Sequence, residues 1–123
     1  MTRFVTLDDA LAAAEAYLGR RPEVRDYGLL ESALARPQTR VFGQDAYPSL
    51  DLKAAALLSS LVANHALVDG NKRLGWVCTR LFYIYNGHDL RADHDDAYEL
   101  VIPIAGGARD DITKVAATLA AWR

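Results

Sequence analysis

The sequence predicts an all-α fold of about six helices joined by short loops. Apolar residues recur at intervals of three and four along most of the 123-residue chain. Few segments show the period-2 alternation of a half-buried strand. Helix-capping residues, glycines and prolines separate successive apolar segments, as they do where helices begin and end.

The first helix is predicted to begin after Thr6, a good N-cap, with Asp9 three residues further on. Gly19 ends this helix. Its apolar face carries Leu7, Leu11, Ala14 and Leu18.

A second helix over residues 27–36 is predicted to stop before Pro37, because the residue before a proline disfavours helical backbone. Residues 37–49 contain Pro37, Gly43 and Pro48. They predict an irregular loop with a short extended piece at residues 40–43.

The third and fourth helices are the most apolar elements of the chain. Ser49 caps the third, which has its core at residues 52–62 and ends near residues 65–67. The fourth begins at Asn71, passes Tyr85 and stops at Asn86-Gly87. Because their loop is short, the two helices are predicted to form a central antiparallel pair.

The fifth helix is predicted over residues 95–102, with Pro103 kinking or ending it. Asp110 or Asp111 caps the last helix. That helix carries Ile112, Val115, Leu119 and Trp122 at helical spacing. Residues 1–123 are enough for one domain with one core.

Composition excludes several classes of protein. The chain is 51% hydrophobic and 24% charged, which is typical of globular rather than disordered proteins. A net charge of −2 argues against general nucleic-acid binding. The single cysteine, Cys78, excludes an intrachain disulfide, and neither a signal-peptide core nor a membrane-length apolar run is present. We expect a cytoplasmic protein without membrane contact.

The segment between the two central helices concentrates the candidate chemistry. It reads His65-Ala-Leu-Val-Asp69-Gly70-Asn71-Lys72-Arg73. The free backbone N–H groups and positive dipole end of the fourth helix favour an anion. Lys72 and Arg73 oppose that dipole by a few tenths to about 1 kcal/mol each, and a bound anion would remove the conflict.

Each polar residue of this segment has a functional and a structural interpretation. His65 is a candidate general base, or a helix-end residue that caps carbonyls. Asp69 binds Mg²⁺ on a nucleotide phosphate, orients His65, or is a turn residue before Gly70. Gly70 allows close backbone approach, and Asn71 is predicted to cap the fourth helix.

Other polar residues carry weaker signals. His88 and His94 lie near four aspartates, but the spacing matches no zinc pattern. Gln44, Asp45 and Tyr47 lie in the irregular loop, which is a candidate flap beside the site.

The segment resembles the motif of the Fic/Doc superfamily, His-x-Phe-x-(Asp/Glu)-(Gly/Ala)-Asn-(Gly/Lys)-Arg. Lysine at position 72 is the form of the Doc (death-on-curing) toxins, whereas the AMP-transferring Fic enzymes usually have glycine there. The resemblance extends to residues 28–34, the central helix pair and the Asn86-Gly87 stop.

This resemblance implies one Fic/Doc-like domain over residues 1–123 and a bacterial toxin–antitoxin setting with a cognate antitoxin as partner. It implies ATP and Mg²⁺ as cofactors. Fic enzymes transfer AMP, whereas Doc toxins bind the nucleotide in the reverse orientation. Doc toxins transfer the γ-phosphate to a threonine of elongation factor Tu, which stops translation.

By position, the resemblance implies that His65 deprotonates the target hydroxyl and that Asp69 helps to hold the metal. Asn71, Lys72 and Arg73, with the backbone N–H groups from Gly70 onward, would bind the phosphates. The loop at residues 40–47 would be the flap that docks the target segment.

The chain departs from the family pattern at four positions. Leu67 replaces the usual phenylalanine but can still anchor the loop, and Ala66 replaces proline or isoleucine. Trp76 stands where AMP-transferring members carry a second arginine, which points away from AMP transfer. Ala63 stands where some Doc members have a further arginine. No self-inhibiting Ser/Thr-x-x-x-Glu helix is present in the sequence.

The sequence therefore favours a Doc-like toxin that phosphorylates a hydroxyl of a translation factor. The alternatives are AMP transfer by the same site and a non-enzymatic module that binds nucleotide or antitoxin. An RNA-cleaving toxin fits poorly, because the net charge is negative and there is no second base or acid cluster near His65. Four apolar residues belong either to the core or to an antitoxin groove: Ile102, Ile104, Val115 and Trp122.

Overall fold

The computed structural model describes residues 1–107 and 111–123. Within these ranges lie six α-helices, α1 (Leu7–Leu18), α2 (Tyr27–Ala35), α3 (Leu50–Asn64), α4 (Asn71–Tyr85), α5 (His94–Ala105) and α6 (Ile112–Trp122). A 3₁₀ turn (Arg36–Gln38) and a small antiparallel hairpin of β1 (Arg40–Val41) and β2 (Gln44–Asp45) follow α2. The predicted all-α class is confirmed.

Helix α3 lies at the centre of the fold. Ten of its 15 residues are buried, and it packs against α4, α6, α2 and α5. Gly75 of α4 allows the closest approach, because a Cβ atom there would lie only 2.5 Å from Cγ2 of Val62 and 3.3 Å from Cδ1 of Leu58. The predicted α3–α4 pair is therefore the core of the molecule, and it holds the intervening loop at both ends.

Several predicted helix ends are confirmed. The Thr6 hydroxyl accepts a hydrogen bond from the Asp9 backbone N–H, and the Asp9 carboxylate accepts one from the Thr6 N–H, both at 3.1 Å. Gly19 ends α1 in the left-handed conformation, with φ of 71°. The Ser49 hydroxyl caps α3 by accepting from the Leu52 N–H at 3.1 Å.

The fifth helix is longer than predicted. It begins at His94 with Asp93 as its N-cap and continues through Pro103 to Ala105. Proline removes one backbone donor, but burial of Val101 and Ile104 on either side keeps this last turn against the core. Asp111 caps α6, as one alternative predicted, whereas Asp110 lies outside the described residues.

Of the four apolar residues left open by the sequence, Ile104 and Val115 are buried, and Ile102 and Trp122 are partly buried. No helix within residues 1–107 and 111–123 is both long and apolar enough to cross a bilayer.

Asp51 ties the carboxyl end of α6 to the start of α3. Its carboxylate accepts hydrogen bonds from the Tyr83 hydroxyl at 2.7 Å and from Nε and Nη2 of Arg123 at 2.8 and 3.0 Å. Burial alone would raise the pKa of Asp51, but the bonds from Arg123 and Tyr83 outweigh it and hold this pKa below 3.8.

We expect Asp51→Asn to lower the free energy of unfolding at pH 7 by about 1–2 kcal/mol. Because the folded-state pKa lies below the unfolded value of about 4, the stabilisation is complete above that pH. It is lost as the pH falls through the folded-state pKa. Urea unfolding at a series of pH values measures the effect. The free energies of unfolding of the parent and of Asp51→Asn should converge as the pH falls, whereas the control Glu31→Gln, at an exposed residue, should have the same free energy of unfolding as the parent at each pH. A difference that does not shrink at all as the pH falls below about 4 would contradict the linkage.

Candidate functional site

His65 lies at the carboxyl end of α3, where the chain leaves the helix. Its backbone is left-handed, with φ of 50° and ψ of 46°, which costs a non-glycine residue about 1–2 kcal/mol. Its backbone carbonyl accepts a hydrogen bond from the Arg25 guanidinium. The side chain is exposed, and the imidazole forms no hydrogen bond within the described residues. The carbonyl-capping interpretation is therefore not what the structure shows.

A short segment before α2 holds the loop like a neighbouring strand. The N–H of Val68 donates to the Glu23 carbonyl at 2.9 Å, and the N–H of Arg25 donates to the Ala66 carbonyl at 2.8 Å. Val24 and Leu67 pair as an isolated antiparallel bridge. Sequence reasoning missed this segment, because backbone pairing leaves no side-chain pattern to find.

Leu67 and Asn71 fix the middle of the loop. Leu67 is buried, so the leucine that replaces the family's phenylalanine anchors the loop in the core. The Asn71 carboxamide closes a ring with it, accepting from the Leu67 N–H and donating to the Leu67 carbonyl, both at 2.9 Å. The prediction that Asn71 caps α4 is wrong, because Gly70 is the N-cap and the Asn71 side chain points back to Leu67.

Asn71→Ala is expected to lower the free energy of unfolding by about 1–3 kcal/mol, because it leaves both polar groups of buried Leu67 without partners. Amide hydrogen exchange should show faster exchange at Leu67, with the α3 amides little changed. The control Asn64→Ala removes a single bond to the Leu29 carbonyl and should leave Leu67 protected. Unchanged protection in Asn71→Ala would contradict this account.

The amino end of α4 has no side-chain cap. Gly70 has φ of 86°, and a Cβ atom there would lie 3.2 Å from Cε1 and the hydroxyl of Tyr17. The Tyr17 hydroxyl donates to the Gly70 carbonyl at 2.8 Å. Burial raises the pKa of Tyr17 to about 12, so this hydroxyl remains a donor at neutral pH. The first N–H groups of α4 are left for an external acceptor.

Charged side chains of both signs lie around this helix end. Lys72 and Arg73 are exposed, and the Arg73 guanidinium lies 5.3 Å from the Tyr17 ring centroid. The Asp69 side chain is 75% exposed, and its carboxylate lies 4.0 Å from Nη2 of Arg20. Within the described residues it forms no ion pair with His65, so Asp69 does not orient the imidazole in this structure.

A divalent ion would need ligands beyond the protein. Within residues 1–107 and 111–123, no three His, Cys, Asp or Glu side chains come together as a metal site. Mg²⁺ is commonly held by one or two carboxylates together with substrate phosphates and water. The exposed carboxylate of Asp69, beside the uncapped end of α4, fits that mode of binding.

Lys72 and Arg73 also line a cleft of about 630 Å³ between α4 and α5, which we call the α4–α5 cleft. Its other lining residues include aromatic and apolar side chains, among them Trp76, Tyr98, Val101 and Ile102. Trp76 packs edge-on against Trp122, with ring centroids 6.0 Å apart. The cationic end of the loop therefore opens into a space of partly apolar character.

The loop predicted as a flap contains the β1–β2 hairpin. Its two turn residues, Phe42 and Gly43, both have positive φ, at 51° and 78°, as a type I′ turn requires. Phe42 is fully exposed at the tip. The buried Lys53 ammonium attaches the hairpin to α3, because it donates to the Tyr47 carbonyl and to Oδ2 of Asp45. The tip of the hairpin is therefore exposed, while its base is bonded to α3.

Comparison with known proteins identifies the family. A sequence model described as the Fic/DOC family matches residues 4–83, which contain α1 to α3, the loop between the central helices and all but the last two residues of α4. This chain belongs to the Fic/DOC family. It is also 49% identical over 125 residues to a Toxin Doc of Mycolicibacterium smegmatis (strain ATCC 700084 / mc(2)155), covering 99% of this chain and 95% of that relative. The resemblance to the Doc type is confirmed, whereas the roles of residues 65–73 stay predictions.

Proposed function

We propose that this Fic/DOC family protein is the toxin of a type II toxin–antitoxin module. It transfers the γ-phosphate of ATP to a Ser or Thr hydroxyl of a translation factor similar to elongation factor Tu. Similarity to a Toxin Doc over nearly the whole chain supports the toxin assignment. The observation that carries the chemistry is the uncapped α4 end beside Lys72 and Arg73, in the same loop as the exposed His65.

In this proposal the phosphates bind at the amino end of α4. The N–H groups of the first turn donate to phosphate oxygens, and Lys72 and Arg73 neutralise their charge. Asp69 would hold Mg²⁺ together with those oxygens, and the ion supplies further charge neutralisation. The adenosine end extends toward the α4–α5 cleft, where Trp76 and Tyr98 offer aromatic surface.

His65 acts as the general base. Its free imidazole accepts the proton of the target hydroxyl while the hydroxyl oxygen forms a bond to the γ-phosphorus. The bond from that phosphorus to the bridging oxygen breaks, and ADP leaves. Arg25 and the pairing of residues 23–26 with the loop hold the left-handed backbone at residue 65, which fixes the point from which the imidazole projects.

Transfer of AMP is the alternative reaction at this site. AMP-transferring members of the family usually carry glycine at position 72 and a second arginine at position 76. Here Lys72 takes the first position, and a tryptophan packed against Trp122 takes the second. The cations near this site, Lys72 and Arg73, lie at the amino end of α4. In this proposal they favour transfer of the γ-phosphate, which binds there.

The proposal also names partners and setting. Residues 1–123 act as one Fic/Doc-like domain in the cytoplasm, where the translation factor is found. A cognate antitoxin protein neutralises it, because no self-inhibiting helix motif is present in the sequence. No direct contact with nucleic acid or membrane is part of the mechanism.

Intact-mass spectrometry of purified elongation factor Tu, after incubation with this protein, ATP and Mg²⁺, tests the proposal. A mass increase of one phosphoryl group on a Ser or Thr is expected. An increase of one adenylyl group would establish AMP transfer instead. An unmodified factor, together with nucleotide binding in calorimetry, would indicate a binding module without turnover.

A further inference from the structure

A second, polar cleft of about 450 Å³ lies between α2 and α3. We call it the α2–α3 cleft. Its lining is mostly hydroxyl, amide and guanidinium groups, from Ser32, Ala35, Arg36, Thr39, Ser60 and Asn64. None of these residues belongs to the phosphate-binding end of α4, so the cleft is distinct from the proposed nucleotide site.

Arg36 is the charged group of this cleft. Its Nε donates to the Tyr47 hydroxyl and its Nη1 to the Ser60 hydroxyl, each at 2.9 Å. The guanidinium carbon lies 5.4 Å from the Tyr47 ring centroid. All of these partners are neutral, and within residues 1–107 and 111–123 Arg36 forms no ion pair with a carboxylate.

Within the described residues, this arrangement leaves some N–H donors of the Arg36 guanidinium without a hydrogen-bond partner. A guanidinium has five N–H donors, and the Tyr47 and Ser60 hydroxyls use two of them. Attaching the hairpin to α3 explains those two bonds, but it does not require a positive charge. A partly buried guanidinium held in a fixed position with free donors suits a carboxylate, which it can bind through two parallel hydrogen bonds.

The α2–α3 cleft lies close to His65, which would deprotonate the target hydroxyl in the proposed reaction. Asn64 lines the cleft and is followed directly by His65. Tyr47, which holds Arg36, lies at the base of the hairpin with the exposed Phe42 tip. The cleft therefore borders the residue before His65 at one end and, through Arg36, the base of the hairpin at the other.

We propose that the α2–α3 cleft is a specificity subsite that binds an acidic side chain of the protein substrate through Arg36. The inference rests on the proposed function in one respect, namely that the acceptor is a protein hydroxyl. It also predicts which protein substrates are preferred, namely those with an Asp or Glu within a few residues of the modified Ser or Thr.

A peptide series tests this subsite in the transfer reaction. Each peptide carries one threonine and a single glutamate at varied distance from it, and a matched peptide carries glutamine instead. We expect glutamate at one or two spacings to raise kcat/KM by roughly 10- to 100-fold, mainly through KM. Arg36→Gln should reduce the rates with these peptides to those of the glutamine peptides, Arg36→Lys should retain part of the preference, and the exposed-arginine control Arg91→Gln should retain all of it.

A binding assay without ATP separates this proposal from the proposed function. Fluorescence anisotropy of the same labelled peptides should show tighter binding of the glutamate form to the parent protein and to Arg91→Gln, and no preference in Arg36→Gln. If no peptide is modified but this pattern holds, the proposed transfer fails and the subsite stands. Equal binding of both forms would overturn the subsite, as would a preference that survives in Arg36→Gln.

Two further outcomes are decisive. Displacement of the glutamate peptide by inorganic phosphate at lower concentration than by glutamate would assign the cleft to phosphate, which overturns the proposal. If circular dichroism shows that Arg36→Gln is unfolded, Arg36→Lys provides the comparison, because a lysine keeps the charge but cannot form the two parallel bonds. A purely structural role for Arg36 predicts weaker binding of glutamate and glutamine peptides alike, which also overturns the proposal.

Discussion

Replacement of His65 by alanine is expected to lower phosphoryl transfer by roughly 10²- to 10⁴-fold, the usual contribution of a general base. The loop should keep its shape, because its bonds come from Asn71, Tyr17 and the segment at residues 23–26 and not from the imidazole. Single-turnover transfer from ATP to the target protein measures the effect directly. Nucleotide affinity, measured by calorimetry, should change little, since His65 is assigned to the acceptor and not to the phosphates.

Two companion variants make this result specific. His88→Ala removes a histidine that packs against Tyr83, with ring centroids 6.4 Å apart, and should leave transfer unchanged. His65→Gly should be as inactive as His65→Ala yet unfold at a urea concentration no lower than the parent, because glycine adopts the left-handed backbone at this position without strain. Near-parental transfer in either His65 variant would remove His65 from the role of base.

Gly75→Ala is expected to be the most damaging single methyl addition in the core. The new Cβ atom would lie 2.5 Å from Cγ2 of Val62, so the α3–α4 pair has to separate or Val62 has to move. Overpacking of this kind costs about 1–3 kcal/mol, although alanine gains up to about 1 kcal/mol in helix propensity over glycine. Chemical denaturation measures the net loss in the free energy of unfolding.

A double-mutant cycle separates the clash from other effects. Val62→Ala removes the Cγ2 atom, so the double variant should lose less stability than the two single changes added together, by about 1 kcal/mol or more. Gly106→Ala is the control, because Gly106 has φ of −77° and its new Cβ atom would meet only the backbone oxygens of Ile102 and Pro103, at ordinary contact distances of 3.5 and 3.7 Å. Additive losses in the cycle would show that the clash with Val62 is not the cause.

The helices were predictable because their signals are local. Thr6, Ser49 and Gly19 each specify a helix end through bonds or backbone angles within a few residues, and the structure confirms all three. The extension of α5 past Pro103 was not predictable, because burial of its last turn depends on packing against other elements.

The site was only partly predictable, because part of its structure depends on contacts with residues that are distant in the sequence. The short segment at residues 65–73 indicated where to look, and Leu67 as its apolar anchor follows from the sequence. Several of the bonds that hold the loop join residues 40 to 53 positions apart, as for Arg25 with His65 and Tyr17 with Gly70. Asn71 shows the limit most clearly, because its residue type suits a helix cap equally well and only the folded loop directs it to Leu67.

The most direct test of the central claim uses ATP labelled separately on its α- and γ-phosphates. The purified protein and its His65→Ala variant are incubated with each form, Mg²⁺ and a bacterial lysate. The account predicts that γ-label alone passes to one protein band and that this band is lost in the variant. Label from the α-phosphate alone would contradict it and establish AMP transfer, and γ-label that is equally strong with His65→Ala would contradict the assignment of the base.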